Sequence, residues 1–353
     1  MGALRIASIG TGIIVDWFLE SVVDVDGLEY VGAYSRTLER ARAWGEPRGA
    51  RLFFDSLDDL AACPDIDAVY VASPNALHIP YAKKMLSADK HVLSEKPLAS
   101  NVREATEAFA VAREHGVVLM EAMRNIHGAG FDVIRKAVPQ LGEVRSATLR
   151  FAKVSSRVPA LMEGRMTNAF DPCMAGGAIM DIGVYCIAPM VALWGRPRRI
   201  AAMGTTFDVS TIGGDTTYPL VELAGEALCD YGDFVVNLSW GKVSDNHISS
   251  QIQGTQATLL IDSIAVPRTI ELVRPVQQEG YGSGEGEAEH LDVAVERGQL
   301  TEELRDFVAM CRGDQNGARL ADHYGQISLA TLEVMDEIRA QLGVRFPADD
   351  REA

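Results

Sequence analysis

Short apolar runs alternate along the chain with stretches in which apolar residues recur every three or four positions. Residues 4–9 read as a buried strand, and 13–23 follow with helical spacing. Strand-like runs at 28–34, 67–72, 91–94 and 117–121 then alternate with helix-like stretches at 38–44, 79–86 and 102–115. Strands and helices alternating at this spacing predict βαβ units and a mostly parallel, doubly wound sheet.

The rhythm changes after Glu121. A helix over about 131–138 precedes a long strand at 143–154, and a second helix spans about 178–194. Strand-like segments follow at 200–207, 218–223, 226–228, 235–242, 247–254 and 258–261. Successive strands with short turns predict a mainly antiparallel sheet, so this half reads as α+β. One uncovered face of such a sheet would favour a homo-oligomer, a dimer or a tetramer. The Gly- and Glu-rich stretch 277–289 reads as an exposed loop. Helices at 302–311 and 324–342 end the chain, with Asp322 the expected N-cap of the second and Gly343 its C′ residue. The pattern predicts an α/β protein of two domains, 1–122 and 123–353. The last helix is a candidate to pack back on the first domain.

Composition narrows the function. The length of 353 residues suits two domains. Lys and Arg number 33 against 49 Asp and Glu, a formal net charge of −16. An acidic surface repels phosphate backbones and anionic lipid, so neither nucleic acid nor membrane is an expected partner. No apolar run reaches the roughly 18 residues of a membrane span, and the opening MGALRIASIG lacks a cleavage site of the signal-peptide type. Cys63, Cys173, Cys186, Cys229 and Cys311 are scattered and odd in number. They predict reduced thiols, a cytoplasmic setting and no structural zinc.

Four motifs carry candidate chemistry. Gly10-Thr11-Gly12-Ile13-Ile14-Val15 joins a strand to a helix, the context of a dinucleotide fingerprint. Gly10 permits the tight turn, and Gly12 lets the backbone approach a pyrophosphate at the helix N-terminus. Val15 stands where a third small residue is usual, so helix and strand should sit slightly farther apart. At the end of the second strand, Ser35, Arg36 and Thr37 replace the acidic residue that binds an unphosphorylated ribose. Two hydroxyls and a guanidinium suit a 2′-phosphate, which favours NADP over NAD; a solvated turn is the plainer alternative. Glu95-Lys96-Pro97 places a lysine at the carboxyl end of a parallel strand, where ligands bind, although a surface Lys–Glu pair would look the same. In Asp181-Ile182-Gly183-Val184-Tyr185, Asp181 and Tyr185 share a helix face and Gly183 leaves room nearby. A tyrosine hydroxyl can exchange a proton if a cation lowers its usual pKa of about 10. Pro189 lacks the N–H that would bond the Tyr185 carbonyl, so a kink is expected there. Read from this helix alone, Tyr185 is better taken as a core aromatic with a satisfied hydroxyl.

Taken in order and with their separations, these motifs and Ser73-Pro74-Asn75-Ala76-Leu77-His78 carry a family resemblance. The chain resembles the glucose-fructose oxidoreductase / inositol dehydrogenase / MocA-type family over nearly its whole length. With Tyr185 where many relatives have His, followed by Cys186, it is most similar to the dihydrodiol dehydrogenase and NADP-dependent xylose dehydrogenase branch.

The resemblance implies a Rossmann domain over 1–122 and a substrate and oligomerisation domain over 123–353. It implies that Gly10, Thr11, Gly12, Ile13, Ile14, Ser35, Arg36 and Glu95 bind the cofactor. Ser73, Pro74, Asn75 and His78 would flank its ribose and nicotinamide. Lys96 would lie near the nicotinamide and the reacting oxygen, Tyr185 would donate or accept the proton, and Asp181 would hold a substrate hydroxyl. Arg124-Asn125-Ile126-His127 stands where sugar-acting relatives often carry aromatic residues, which bears against a sugar; Arg124 and His127 are further candidates for substrate contact.

The expected activity is NADP-dependent hydride transfer to or from a secondary alcohol or ketone of a sugar, polyol or dihydrodiol, with NAD as the alternative cofactor. A cofactor-sensing regulator without turnover is one rival. A non-redox enzyme that oxidises its substrate transiently with bound NAD is another.

Overall fold

The apolar run at the N-terminus forms β1 (Leu4–Ile9), whose last four residues are buried, and the helical spacing after it forms α1 (Ile13–Val22). The computed structural model describes residues 2–276, 286–294 and 298–351. The chain divides into two units, 1–124 with 296–332, and 125–295 with 333–353.

The first unit continues with β2 (Leu28–Tyr34), α2 (Leu38–Gly45), β3 (Leu52–Phe54), α3 (Leu57–Ala62), β4 (Ala68–Val71), α4 (His78–Leu86), β5 (His91–Glu95), α5 (Val102–Glu114) and β6 (Leu119–Ala122). The six strands pair in parallel in the order β3-β2-β1-β4-β5-β6. The order reverses between β1 and β4, and a crevice at their carboxyl ends is where such sheets bind ligands. The short β3 and α3 are absent from the sequence reading, because three and six residues give too little periodicity to register.

The second unit opens with two short helices, α6 (Arg124–His127) and α7 (Ala129–Ala137). Next come β7 (Val144–Ala152), α8 (Val158–Met162) and a π-helical turn (Ile179–Gly183) that runs into α9 (Val184–Trp194). The strands β8 (Arg199–Asp208), β9 (Leu220–Asp230), β10 (Val235–Gly241), β11 (Ser250–Gly254), β12 (Thr258–Ile261), β13 (Ile270–Pro275) and β14 (Gly286–Leu291) complete it. Among the described residues they form an eight-stranded sheet with β7, ordered β14-β13-β12-β11-β7-β10-β9-β8. Neighbours are antiparallel except β7 and β10.

Several expectations change here. Segments 218–223 and 226–228 are one strand, β9, which carries Gly225 through its middle. A Cβ on Gly225 would collide with the indole of Trp240, its partner on β10. The glycine therefore makes space for a ring and does not mark a turn. The expected loop at 277–289 lies outside the described residues as far as 285, and 286–289 belong to β14. The helical segment Pro172–Trp194, whose apolar run Asp181 interrupts, is long and apolar enough by composition to cross a membrane. It is a core helix of this unit, with 72% of its apolar window buried.

The last two helices are α10 (Thr301–Cys311) and α11 (Gln315–Gln341). Leu304, Phe307 and Met310 of α10 enter the core of the first unit beside Val15, Phe18 and Tyr70. Phe18 stacks on Tyr70 with ring centroids 4.2 Å apart. The Leu300 N–H donates to Ser21 Oγ at 3.0 Å. Helix α11 starts well before 324, so Asp322 is not its N-cap: Asp322 accepts from Gln326 one turn on, at 3.0 Å, while Asp314 accepts from the Gly317 N–H at 2.8 Å. Gly317 hides the early start from a periodicity reading. A side chain there would strike the Ala309 carbonyl of α10, so close helix approach requires a glycine inside the helix.

Candidate active site

In the first unit the chain leaves β1 through Gly10, whose φ of +121° and approach to the Ala72 carbonyl oxygen leave no room for a Cβ. Gly12 precedes α1 in extended backbone, and no side chain caps the helix. A Cβ on Gly12 would meet nothing within 4 Å. Open space beside uncapped helix N–H groups fits a pyrophosphate, which these groups would hold through hydrogen bonds and the helix dipole. Ile13 is 70% exposed, Ile14 is half-buried and Val15 is fully buried against the sheet.

The corner after β2 lies beside this turn. Ser35 is buried, and its N–H donates to the Phe54 carbonyl at 3.0 Å. Arg36 is exposed. Thr37 caps α2, its Oγ1 accepting from the Arg40 N–H at 3.3 Å. The Arg40 guanidinium donates to Thr11 Oγ1 at 3.1 Å, linking this corner to the glycine turn. Arg40 was not among the sequence candidates. Its place three residues beyond the Thr37 cap is the signal that could have found it.

After β4, Ser73, Pro74 and Asn75 are half-buried, while His78 is buried with both ring nitrogens against backbone carbonyls. Nδ1 lies 2.8 Å from the Pro97 oxygen and Nε2 lies 2.8 Å from the Ser73 oxygen. His78 thus braces the Ser73 loop against the turn that follows Lys96. A neutral imidazole has one N–H to give, and burial pushes this one toward neutrality by lowering its pKa.

Lys96 sits half-buried at the carboxyl end of β5, before a cis bond to Pro97. Glu95 is buried and accepts from the Tyr70 hydroxyl and from the Lys96 N–H at 3.3 Å. Glu121 accepts from the Leu98 N–H at 2.8 Å and the Ser328 hydroxyl at 2.6 Å. Burial raises the pKa of Glu95, Glu121 and neighbouring Glu303. Arg124 lies over Trp17, 5.6 Å from the ring, and donates to Gln299 at 2.8 Å.

In the second unit, Asp181 and Tyr185 lie on the π-turn and the start of α9, both half-buried. The Tyr185 ring meets Phe151 edge-on at 5.6 Å. The carbonyl that Pro189 deprives of its helical donor is satisfied from outside. Asn125 Nδ2 donates to Tyr185 O at 3.0 Å and to Ile264 O at 3.1 Å. Gly183 does not leave room for a ligand as expected; a Cβ there would press on Trp240 at 3.1 Å. The indole fills the space left by Gly183 and Gly225, and its Nε1 donates to Glu222 at 3.0 Å. The Glu222 carboxyl also accepts from the Ile179 N–H, and burial pushes its pKa up to about 7. Lys242, buried just past β10, donates to Asp181 Oδ2 at 2.7 Å. The supporting roles of Asn125, Glu222 and Lys242 escaped the sequence reading, since nothing local to them announces partners that are 18 to 139 residues away. His127 is buried. Among the described residues no cluster of His, Cys, Asp or Glu could hold a metal ion, and the cysteines are free thiols.

Comparison with known proteins agrees with the fold of both units. Residues 4–123 match the family model described as oxidoreductase family, NAD-binding Rossmann fold, and residues 135–260 match the GFO/IDH/MocA C-terminal domain. The scyllo-inositol 2-dehydrogenase (NADP(+)) IolU of Bacillus subtilis is 35% identical, over 98% of this chain and 99% of that one. The trans-1,2-dihydrobenzene-1,2-diol dehydrogenase of Mus musculus is 26% identical, over 99% and 100%. In fold, the chain is similar to KijD10, a 3-ketoreductase from Actinomadura kijaniata crystallised with NADP, with a TM-score of 0.79 and 24% identity over 98% and 100% of the two chains.

Proposed function

The chain belongs to the GFO/IDH/MocA oxidoreductase family, and on that premise we propose that it transfers a hydride between NADP and the secondary alcohol or ketone of a polyol, sugar or dihydrodiol. The observation that carries the cofactor reading is the Arg40–Thr11 bond. It sets a second guanidinium beside Ser35, Arg36 and Thr37, at the corner where an acidic residue would select NAD. When bound, the dinucleotide supplies the hydride acceptor or donor.

The chain's own residues divide the remaining tasks. Gly10, Thr11, Gly12, Ile13 and Ile14 line the pyrophosphate, with Ser35, Arg36 and Arg40 at the 2′-phosphate. Ser73, Pro74, Asn75 and Glu95 shape the nicotinamide end, and His78 braces it from below. Hydride leaves a carbinol carbon only if the O–H proton leaves too, so Tyr185 exchanges that proton at the reacting oxygen. Lys96 supplies a cation that favours the oxyanion. Asp181 accepts a hydrogen bond from a substrate hydroxyl. Names of relatives such as scyllo-inositol dehydrogenase and dihydrodiol dehydrogenase support substrates with neighbouring hydroxyls. Met203 and Leu228, exposed on one face of β8 and β9, support pairing of this sheet with a second copy.

The test is a panel of scyllo-inositol, xylose and trans-dihydrobenzenediol with NADP⁺ or NAD⁺, read by absorbance of the reduced cofactor. Turnover with NADP⁺ and at least one substrate is expected. Tight cofactor binding with no turnover on any of them would favour the regulatory alternative, and product formation without absorbance change the non-redox one.

A further inference from the structure

The buried lysine of the second unit belongs to no part of the machinery assigned so far. Its side chain is 2% exposed, whereas that of its partner Asp181 is 47% exposed. A lysine this deep is rare and costly unless paired. Its surroundings are defined. The ammonium stands 5.1 Å from the centre of the Phe170 ring and 2.7 Å from Asp181 Oδ2, and it feels the buried Glu222 carboxyl from β9. The backbone on both sides is pinned as well. The Lys242 N–H donates to the Leu223 carbonyl at 2.9 Å, and its own carbonyl accepts from the Ser155 N–H at 2.8 Å. The same Glu222 holds the Ile179 N–H at the start of the π-turn that carries Asp181. Lys242 thus bonds the half-exposed carboxylate directly, and Glu222 holds the backbone turn that carries it.

We infer that Lys242 is a positioning residue, which fixes Asp181 as an oriented anion so that it accepts a hydrogen bond from a hydroxyl of a polyhydroxylated substrate. The inference rests on the proposed contact between Asp181 and substrate. A cation bonded from below favours the ionised carboxyl and fixes its rotation about the Cβ–Cγ bond. A substrate hydroxyl then meets an acceptor that is already aimed, and less ordering is needed on binding. The preference created is for diols and polyols over simple secondary alcohols, because only a second hydroxyl uses this acceptor.

The test compares Lys242→Met, Lys242→Arg, Asp181→Asn and the Lys242→Met/Asp181→Asn double variant, with the most active substrate of the panel. NADP affinity is measured alongside by quenching of tryptophan fluorescence. Lys242→Met should raise KM about tenfold while kcat falls less than threefold, and NADP affinity should not change. The acid limb of the kcat/KM profile should move to higher pH, because the carboxylate has lost its cation. Lys242→Arg should recover most of the loss, and the double variant should be no worse than Asp181→Asn alone. If Lys242→Met fails to fold, Lys242→Gln, which keeps a donor to Asp181 without the charge, reads the same shift of the acid limb. A normal KM and an unmoved acid limb in the Lys242 variants, beside a raised KM in Asp181→Asn, would overturn this inference and leave the substrate contact standing. A normal KM in Asp181→Asn would overturn the contact itself, and the inference with it.

Discussion

The glycine turn of the first unit is a candidate site built of backbone: a positive φ at Gly10, open space over Gly12 and the uncapped N–H groups of α1. The Asp181–Tyr185 helix of the second unit is instead held by buried side chains that arrive from elsewhere. Glu222 comes from β9, Trp240 from β10, Lys242 from just beyond β10, and Asn125 from α6. A backbone site is written in one short stretch of sequence and tolerates little change within it. A side-chain site is spread over the chain, so each supporting residue can be altered by itself and its contribution read separately.

The largest effect expected is at Tyr185, the proposed proton-handling group. Tyr185→Phe keeps the ring and its edge contact with Phe151 but deletes the hydroxyl. Steady-state kinetics should show kcat lower by about 10²–10⁴-fold, with NADP affinity unchanged. Near-native kcat would move the proton to another group. Lys96→Met should also lower kcat, since it removes a cation that favours the reacting oxyanion.

A second experiment probes how the buried support responds to pH. Glu222 has a pKa of about 7 in the folded protein, above the ordinary carboxyl value, so the folded state favours its neutral form. Its contribution to stability is whole below pH 4 to 5 and is lost as pH rises through about 7. Glu222→Gln keeps an acceptor oxygen for Ile179 and Trp240 but cannot ionise. Its stability relative to the native protein should rise by about 3 kcal/mol between pH 5 and 8 and then level off. Thermal unfolding across that range measures it. A difference independent of pH would show that Glu222 does not titrate there.

The third experiment divides the turn itself. Gly10→Ala combines a collision with a forbidden φ and should destabilise the protein by roughly 1–3 kcal/mol. Gly12→Ala meets no protein atom, so the melting temperature should hold while cofactor affinity falls. Equal loss of stability in both would mean that Gly12 serves the fold and not a ligand. The smallest effect expected is one of selectivity. Arg40→Ala and Arg36→Ala should each weaken NADP binding by roughly ten- to a hundredfold and leave NAD binding nearly intact, as titration calorimetry would report. Equal weakening for both cofactors would remove the 2′-phosphate from this corner.

The same contrast explains what could be read before the structure. The β1–Gly10–Gly12–α1 unit is legible because a strand, a turn and a helix lie within twenty residues and each follows a local rule. The positions of Lys96, Asp181 and Tyr185 in their elements were legible for the same reason, as was the stranded carbonyl opposite Pro189. Its partner Asn125 was not, because the donor lies 60 residues away. Gly183, Gly225 and Gly317 misled in one way: each reads as a gap or a break, and each is filled by Trp240 or by a neighbouring helix. Whether a glycine makes room for water, a ligand or a ring is decided by tertiary packing, which periodicity does not contain.

Arg124, where the chain leaves the first unit, and Gln299, where it has returned, are joined by a 2.8 Å hydrogen bond. The parallel sheet and α1 thus wait for Leu304, Phe307 and Met310 until the ribosome has made the whole of 125–295. At about 5–20 residues per second, that intervening stretch takes on the order of ten to thirty seconds to synthesise. For that interval the nascent first unit presents Phe18 and Val22 without their cover, a window in which a holdase chaperone would find it and a crowd of unfinished copies would aggregate.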